Sequence, residues 1–498
     1  MEDSLKKRYS IKLFSNIVSG IIGVILIGII PKALGPIAFG QFMYLQDFFL
    51  KMITFFAMST PMAFFTKLSA RNMRKELITF YFFYALGLLL LLLIVVLLLY
   101  YTETLEYVLP NIPKKFVLSG LIFGFFTWTT TIFIKISDAY ALTTSVELIR
   151  IGHKISSLFL LYYFIYSYTL DLRMYFYFLN ISLLVYLCII TWLFIKKGIL
   201  NKNTLNIRFG FKKISKEFIE YCSPLVIYTI MGVVVGLLDI WLLQKIAGSA
   251  ETGFYGLAYS VVAICFLFTS AMTSIITREF SKYYHIKDFE QIKKLFYQYA
   301  PMLYSIAAFF GIFISIQSDN VILIFTDEKF KDAFMALIIM GFYPMHQTYG
   351  QFVGSLFYAS GQTKLIRNIS YITYPIGLLL SFLFIYIFEL GAAGLAFKMI
   401  IGQLISISIQ MYFIAKFLKV DLKYFFYHQL YAMIFFIVLA WISSNVIVID
   451  SPLVKLLVSG IIYTILVILF TFMFPQVFAT NRDEIKENLI RLKNVIKK

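Results

Sequence analysis

Charged residues are scarce in this sequence. Asp, Glu, Lys and Arg make up 14% of its 498 residues, whereas they make up about 25% of an ordinary soluble domain. Hydrophobic residues make up 60%, and they fall in blocks long enough to cross a bilayer rather than in short amphipathic patterns. This composition excludes a soluble globular fold, so most of the chain has lipid as its solvent.

Cysteine is also rare, and the apolar runs lack strict alternation with polar residues. Cys188, Cys222 and Cys265 lie inside or beside apolar segments, which argues against a disulfide framework and against a metal site. A backbone in lipid must satisfy its own hydrogen bonds, so only helices or a closed barrel span a membrane. The run 85–99 lacks the alternation of a barrel strand. We therefore expect an all-α protein without a metal or cofactor.

The apolar blocks predict an all-α polytopic membrane protein with about 14 transmembrane helices. When successive loops are placed on alternating sides of the membrane, most of the 44 Lys and Arg residues fall on one side. The positive-inside rule assigns that side to the cytoplasm. We therefore expect both termini to be cytoplasmic. The predicted spans are 11–31, 41–65, 79–101, 116–141, 148–167, 174–195, 219–245, 254–277, 295–316, 333–360, 366–388, 391–415, 425–448 and 453–475.

The net charge of +18 follows from this topology and from contact with anionic lipid headgroups, and it does not indicate a nucleic-acid partner. The longest internal loop, 196–217, is rich in Lys and Arg and is interpreted as a cytoplasmic hinge. No loop is large enough to fold as a soluble domain. The expected regions are an N-terminal lobe at 1–197, a cytoplasmic linker at 198–217, a C-terminal lobe at 218–416, and two further helices with a cytoplasmic tail at 417–498.

An internal repeat supports two lobes. Gly35 and Gly40 recur as Gly248 and Gly253, each pair with four residues between the glycines and an aromatic residue two positions later. A second match, at a similar offset, pairs 148–150 with 365–367, which both read Leu-Ile-Arg. We expect two six-helix lobes in a parallel repeat plus two C-terminal helices. Parallel repeats place the substrate path between the halves.

Several segments of this chain resemble bacterial polysaccharide-export flippases of the Wzx type. These flippases belong to the multidrug, oligosaccharidyl-lipid and polysaccharide exporter (MOP) superfamily, and the resemblance covers nearly the whole chain. The glycines in the segments hold helices and turns together and do no chemistry. The segments are Ala33-Leu-Gly-Pro-Ile-Ala-Phe-Gly40, Gly248-Ser-Ala-Glu-Thr-Gly-Phe-Tyr-Gly-Leu-Ala-Tyr259, Phe357-Tyr-Ala-Ser-Gly-Gln-Thr-Lys364 and Glu389-Leu-Gly-Ala-Ala-Gly-Leu-Ala396.

The resemblance implies a transporter of the bacterial inner membrane in the O-antigen, lipopolysaccharide or capsule pathway. Such a flippase moves an undecaprenyl-pyrophosphate-linked oligosaccharide from the cytoplasmic to the periplasmic leaflet by alternating access, and we expect an ion gradient to drive it. The implied partners are this lipid-linked oligosaccharide, membrane lipids, a polysaccharide polymerase and a chain-length regulator.

A charged side chain in the middle of a bilayer costs roughly 2.5–3.5 kcal/mol even on the most lenient scale, so each one needs an explanation. Asp47 and Lys51 are four residues apart, and Lys135 and Asp138 are three apart, so each pair shares a helix face. One interpretation is that each pair neutralises itself and aids insertion. The other is that Lys51 or Lys135 faces the cavity and meets an anionic substrate group.

Asp239 and Lys398 have no local partner of opposite sign in the sequence. They form either a structural ion pair, or a coupling site in which Asp239 takes up a proton or cation, because a carboxylate in a low-dielectric site binds protons more tightly. His346, Gln347 and Gln351 are further cavity candidates that would bind sugar hydroxyls or satisfy neighbouring groups.

Other classes of membrane protein remain open from the residues alone. A multidrug exporter or a peptidoglycan lipid-precursor flippase of the same superfamily would share the helix pattern. A membrane enzyme of polysaccharide assembly, either a polymerase or an O-acyltransferase, fits less well, because the chain has no large outer loop and no constellation around His346, the histidine at the middle of a predicted span. We expect a transporter and not an enzyme.

Overall fold

The computed structural model describes residues 5–70, 75–201, 210–446 and 448–483, and every long regular element in these ranges is a helix. Shorter turns at Glu328–Ala333 and Pro475–Phe478 are 3-10 helix, and Phe382–Ile387 is π-helix. The α-helices are α1 Leu5–Ala57, α2 Thr60–Ala70, α3 Lys75–Tyr101, α4 Leu105–Val108, α5 Lys114–Ala139, α6 Thr143–Ser167, α7 Leu172–Lys196, α8 Phe211–Ile246, α9 Gly248–Ala263, α10 Phe266–His285, α11 Phe289–Ile316, α12 Ser318–Phe325, α13 Phe334–Met340, α14 Tyr343–Ala359, α15 Thr363–Ser381, α16 Gly391–Leu418, α17 Leu422–Asn445 and α18 Pro452–Met473.

Within the described ranges, 11 helices are long and apolar enough to cross a membrane, which confirms the all-α polytopic membrane fold. One of them, Phe14–Ala57, has 44 residues. At 1.5 Å per residue it would be about 66 Å long, roughly twice the bilayer core. It is kinked at Gly35, whose φ of 73° and ψ of 169° are not helical. Helix α1 therefore covers the predicted span 11–31 and the part of 41–65 up to Ala57, while the last residues of 41–65, from Thr60, belong to α2.

Two further predicted spans are each divided between shorter helices. In 254–277, α9 ends at Ala263 and α10 begins at Phe266, and the N–H groups of Ile264 and Cys265 donate to carbonyls three residues earlier, as in a 3-10 turn. In 333–360, α13 ends at Met340, and Pro344 lies in the first turn of α14. Proline has no N–H to continue a preceding helix, so the break falls there.

The described residues form two compact units, 1–253 and 254–498, and each is described here by itself. The lobe boundaries predicted from the sequence stay a prediction. Residues 202–209 of the predicted linker, which include Lys202 and Arg208, lie outside the described residues, as do residues 484–498 of the predicted tail.

In the first unit, α5 crosses α1 at very short range. A Cβ on Gly124 would lie 2.9 Å from Cβ of Phe49, and one on Gly120 would lie 3.1 Å from Cβ of Leu45. Small residues at such crossings let two helix backbones approach in a membrane, where burial from water does not drive association. These two glycine contacts hold α5 against the part of α1 that carries Asp47 and Lys51.

The two repeated glycine motifs contact each other reciprocally in this unit. The first glycine of each motif has a positive φ, 73° at Gly35 and 88° at Gly248, a conformation that glycine adopts without strain. The second glycine meets backbone of the other motif. A Cβ on Gly40 would overlap the carbonyl oxygen of Ser249, and one on Gly253 would lie 2.5 Å from the carbonyl oxygen of Pro36. Each motif therefore provides both a turn and a close contact.

The second unit has a large aromatic core in which α11 is central. Buried residues of α10, α14, α16 and α17 pack around it. At its far end, Tyr463 of α18 stacks on Phe309 with ring centroids 4.8 Å apart and donates a 3.0 Å hydrogen bond to the Phe309 carbonyl. The C-terminal helices α17 and α18 are thereby part of the packed core of this unit.

Candidate substrate and coupling site

Lys51 and Asp47 form an ion pair one turn apart on α1. The Lys51 Nζ lies 2.5 Å from Asp47 Oδ2, and both side chains are partly exposed. The same ammonium donates a 2.8 Å hydrogen bond to the carbonyl of Gly236 on α8. A Cβ on Gly236 would lie 3.0 Å from both Cε and Nζ of Lys51. Glycine at this position therefore lets the ammonium reach the helix backbone.

Asp239 lies one turn beyond Gly236 on α8 and is buried, with 7% of its surface exposed. It is near enough to Asp47 for the two carboxylates to repel each other. The structure thus places three of the predicted residues, Asp47, Lys51 and Asp239, in one cluster, which we call the α1–α8 cluster.

Lys135 and Asp138 have partners that their spacing does not indicate. Asp138 accepts a 2.8 Å hydrogen bond from the ammonium of Lys12 on α1 and another of 2.8 Å from the Thr143 hydroxyl. The Lys135 ammonium lies 5.5 Å from the ring centroid of Phe65, a cation–π distance. Asp138 therefore ties α5 to the N-terminal half of α1.

Sequence reasoning missed a second buried charge on this side of the unit. Glu147 is 1% exposed and pairs with Arg150 at 2.8 Å. Arg150 also donates hydrogen bonds of 2.9 Å to Ser15 Oγ and 2.8 Å to Asn16 Oδ1. The three-residue spacing of Glu147 and Arg150 could have indicated an ion pair, but Arg150 was considered only as part of the repeated Leu-Ile-Arg segment. Together these bonds hold α6 against α1.

In the second unit, Lys398 is buried on α16 with 7% of its surface exposed. A Cβ on Gly377 of α15 would lie 3.5 Å from Lys398 Cε and 3.9 Å from its Nζ, so the side chain runs along a glycine surface. The predicted pairing of Lys398 with Asp239 joins residues of different units and stays a prediction.

The three polar candidates on α14 have different environments. His346 is buried, and its ring lies edge-on to Tyr304 at 5.8 Å between centroids. Gln347 Oε1 accepts a 2.8 Å hydrogen bond from Gln403, whereas Gln351 is exposed. His346 therefore contributes to core packing, and only Gln347 and Gln351, which are one turn apart, share a face.

A cavity of about 1050 Å³ in this unit was not predicted. It lies between the beginnings of α11 and α17 and the turn at Pro475–Phe478. Its walls combine lysines and tyrosines from two helices. These residues are too far apart in sequence to form a recognisable motif. They include Lys294, Tyr297, Lys423, Tyr424, Tyr427 and Tyr431.

The described residues contain no group of three or more His, Cys, Asp or Glu side chains that could hold a metal ion. The thiols of Cys188, Cys222 and Cys265 are free.

Two solved membrane transporters share this polytopic helical fold. A solved lipid II flippase, MurJ, in an inward closed conformation, matches 94% of this chain and 99% of its own, with a TM-score of 0.69 and 14% identity. A multidrug resistance MATE family transporter of the MOP superfamily, in an inward-facing conformation, matches 84% of this chain and 98% of its own, with a TM-score of 0.62 and 15% identity.

Among curated proteins, the chain is similar to the probable low-salt glycan biosynthesis flippase Agl15 of Haloferax volcanii, with 24% identity over 214 residues. The aligned part is 43% of this chain and spans 44% of that flippase. No family model matches the sequence.

Proposed function

We propose that this protein is a flippase that moves a polyprenyl-pyrophosphate-linked oligosaccharide across the membrane by alternating access. The observation that carries the proposal is the likeness to a lipid II flippase over 94% of the chain. The similarity to a probable glycan biosynthesis flippase also supports it. The resemblance to Wzx-type exporters narrows the proposed cargo to an O-antigen or capsule repeat unit in a bacterial inner membrane, with both termini cytoplasmic.

The α1–α8 cluster is the proposed contact for the anionic pyrophosphate or an acidic sugar. Lys51 provides a compact charge with three donors, of which Asp47 and the Gly236 carbonyl accept two bonds. An incoming phosphate oxygen competes with these two acceptors. Lys51 then exchanges one anionic partner for another, so its partly buried charge stays compensated throughout the step.

The same exchange offers a route to ion coupling. When Lys51 turns towards the substrate, Asp47 and Asp239 lose part of the positive charge that compensates them. Two carboxylates in a low-dielectric site repel each other, so one of them gains affinity for a proton or a metal cation. We assign this uptake to Asp239, the more deeply buried of the two.

A transport assay in liposomes tests both roles. The purified protein is reconstituted with a polyprenyl-pyrophosphate-linked sugar, and the sugar that becomes accessible to an external glycosidase is followed over time. We expect Lys51→Ala to lower the initial rate at least about tenfold, the loss from one charge-assisted hydrogen bond. Lys51→Arg retains the charge and Lys282→Ala removes an exposed lysine elsewhere, so both remain active. A wild-type rate in folded Lys51→Ala rejects the substrate contact.

The coupling role has its own measurement in the same liposomes. An imposed proton or sodium gradient is expected to accelerate transport by the wild type but not by Asp239→Asn. Asp327→Asn, which changes a partly exposed aspartate, is the matched control and keeps the acceleration. A gradient response in Asp239→Asn equal to that of the wild type excludes Asp239 from coupling.

A peptidoglycan lipid precursor is the second candidate cargo, favoured by the same lipid II flippase likeness. It differs from a repeat unit in its sugar and peptide parts but shares the polyprenyl pyrophosphate. Supplying each lipid in turn to the liposomes distinguishes the two, because the preferred cargo is the one moved faster at equal concentration. A polysaccharide polymerase and a chain-length regulator are proposed partners in the cell for a repeat-unit cargo.

A further inference from the structure

An apolar cavity of about 660 Å³ opens between α3, α8 and the end of α1 in the first unit. We call it the α3–α8 groove. Its walls are mostly aromatic and aliphatic. Both tyrosine hydroxyls bind protein: the Tyr84 hydroxyl donates to the Phe56 carbonyl at 3.1 Å, and the Tyr81 hydroxyl lies 3.1 Å from Thr60 Oγ1. A space with so few free polar groups suits a hydrocarbon chain.

The wall made by α3 is long and weakly buried. Only 11% of the most apolar window of this helix is buried within the protein, and a second apolar cavity, of about 580 Å³, lies on its other side against α5 and α7. Tyr81 lines both cavities. Helix α3 therefore has apolar space along two faces, and the acyl chains of bilayer lipids can fill it.

The mouth of the α3–α8 groove is basic. Ser215 and Ile219 line the groove from the first turns of α8, and Lys212 and Lys216 each lie three residues before one of them, which makes them neighbours on the helix surface. Both lysines are exposed. Glu217 already binds Lys67, at 3.3 Å, and Lys216 lies 3.9 Å from Glu220, an exposed partner with which a lipid phosphate would compete. Positive charge thus borders one end of an apolar channel.

We propose that the α3–α8 groove binds an anionic glycerophospholipid, with an acyl chain in the groove and the phosphate headgroup on Lys212 and Lys216. The combination of an apolar channel with a cationic rim matches a lipid that has a hydrocarbon chain and a negative headgroup. A neutral phospholipid would fill the channel but would gain nothing from the lysines. The site is separate from the α1–α8 cluster and does not depend on the proposed transport.

Gly87 allows a direct test of the chain. It lines the groove and has no heavy atom within 4 Å of an added Cβ, so the side chain of Gly87→Phe starts in open space and occupies the channel. Because glycine is a poor helix former, the change favours the helix. Gly87→Leu is a smaller filling variant. Gly152→Phe, at another open helical glycine that does not line the groove, is the matched control.

The lysines test the headgroup. Each lysine near an anionic lipid surface contributes roughly a fivefold preference, so Lys212→Gln with Lys216→Gln is expected to reduce selectivity on the order of 25-fold. The paired change Lys282→Gln with Lys287→Gln removes two exposed lysines elsewhere and leaves selectivity unchanged.

The measurement is native mass spectrometry of the full chain released from nanodiscs made with equal amounts of phosphatidylglycerol and phosphatidylcholine. We expect one phosphatidylglycerol retained per wild-type chain, loss of that lipid in Gly87→Phe and Gly87→Leu, and loss of the preference in the double lysine variant. Equal retention of both lipids by the wild type, or undiminished phosphatidylglycerol in folded Gly87→Leu, overturns the proposal. So does displacement of the bound lipid by an added polyprenyl pyrophosphate at equal concentration, which would make the groove a site for the cargo.

Discussion

The hydrogen bond from Lys51 to the Gly236 carbonyl is open to a quantitative test through Gly236→Ala. The added methyl group would lie 3.0 Å from Lys51 Cε and Nζ, which is too close for the present contact. Since these atoms end a flexible side chain, the ammonium moves aside and the fold is retained. What is lost is a 2.8 Å bond from a charged donor.

A hydrogen bond to a charged group contributes about 1.5–3 kcal/mol. The Lys51 side chain is 29% exposed, so solvent reduces this, and we take roughly 1–2 kcal/mol. Alanine in a helix recovers about 0.5–1 kcal/mol relative to glycine. Gly236→Ala alone is therefore expected to be nearly neutral or to destabilise the protein by about 1 kcal/mol, a result that by itself would be hard to interpret.

A double-mutant cycle with Lys51→Met separates the two contributions. Without the ammonium, Gly236→Ala has only the helix gain, so it stabilises the Lys51→Met protein. The coupling free energy between the two sites is expected to be roughly 1–2 kcal/mol. The assay is unfolding in detergent followed by intrinsic fluorescence, with Gly23→Ala, at an open position of α1, as the control. A coupling of zero, with equal effects of Gly236→Ala in both backgrounds, would refute the contact.

Two further predictions concern contacts that hold the first unit together. Gly40→Ala places a methyl group against the backbone of Ser249, which cannot move aside as a side chain does, so we expect a loss of about 3 kcal/mol or more, the top of the overpacking range, seen as a lower unfolding temperature in detergent. Arg150→Leu leaves Glu147 buried without this ion-pair partner and is expected to cost about 3–5 kcal/mol. Adding Glu147→Leu should restore much of it, and a double variant no more stable than Arg150→Leu alone would contradict the ion-pair assignment.

The sequence was most informative where interactions are local. Long apolar blocks predict spans because lipid imposes one requirement on every residue, and the four-residue spacing of Asp47 and Lys51 predicts their ion pair because neighbouring turns of a helix face the same way. The breaks within the divided spans could not be predicted from hydropathy. Hydropathy averages across 254–277 and 333–360 and does not register the backbone turn at Ile264 or the missing N–H of Pro344.

Contacts between distant helices were beyond sequence reasoning. Lys12 and Asp138 are 126 residues apart, and Lys51 and Gly236 are 185 apart, so no spacing rule joins them. Gly236 lacks any chemistry that would mark it as part of a site, and its role appears only when the distance to Lys51 is measured. For the same reason Asp239, selected as an isolated charge, could not be grouped with Asp47.

The reciprocal contact of the glycine motifs has a consequence for how such a chain evolves. If the two halves arose from duplication of one ancestral segment, their motifs first met as identical copies, and each copy became the other's packing surface. A change at Gly40 is felt at Ser249, and a change at Gly253 is felt at Pro36. A substitution in one motif therefore requires an accommodating change in the other.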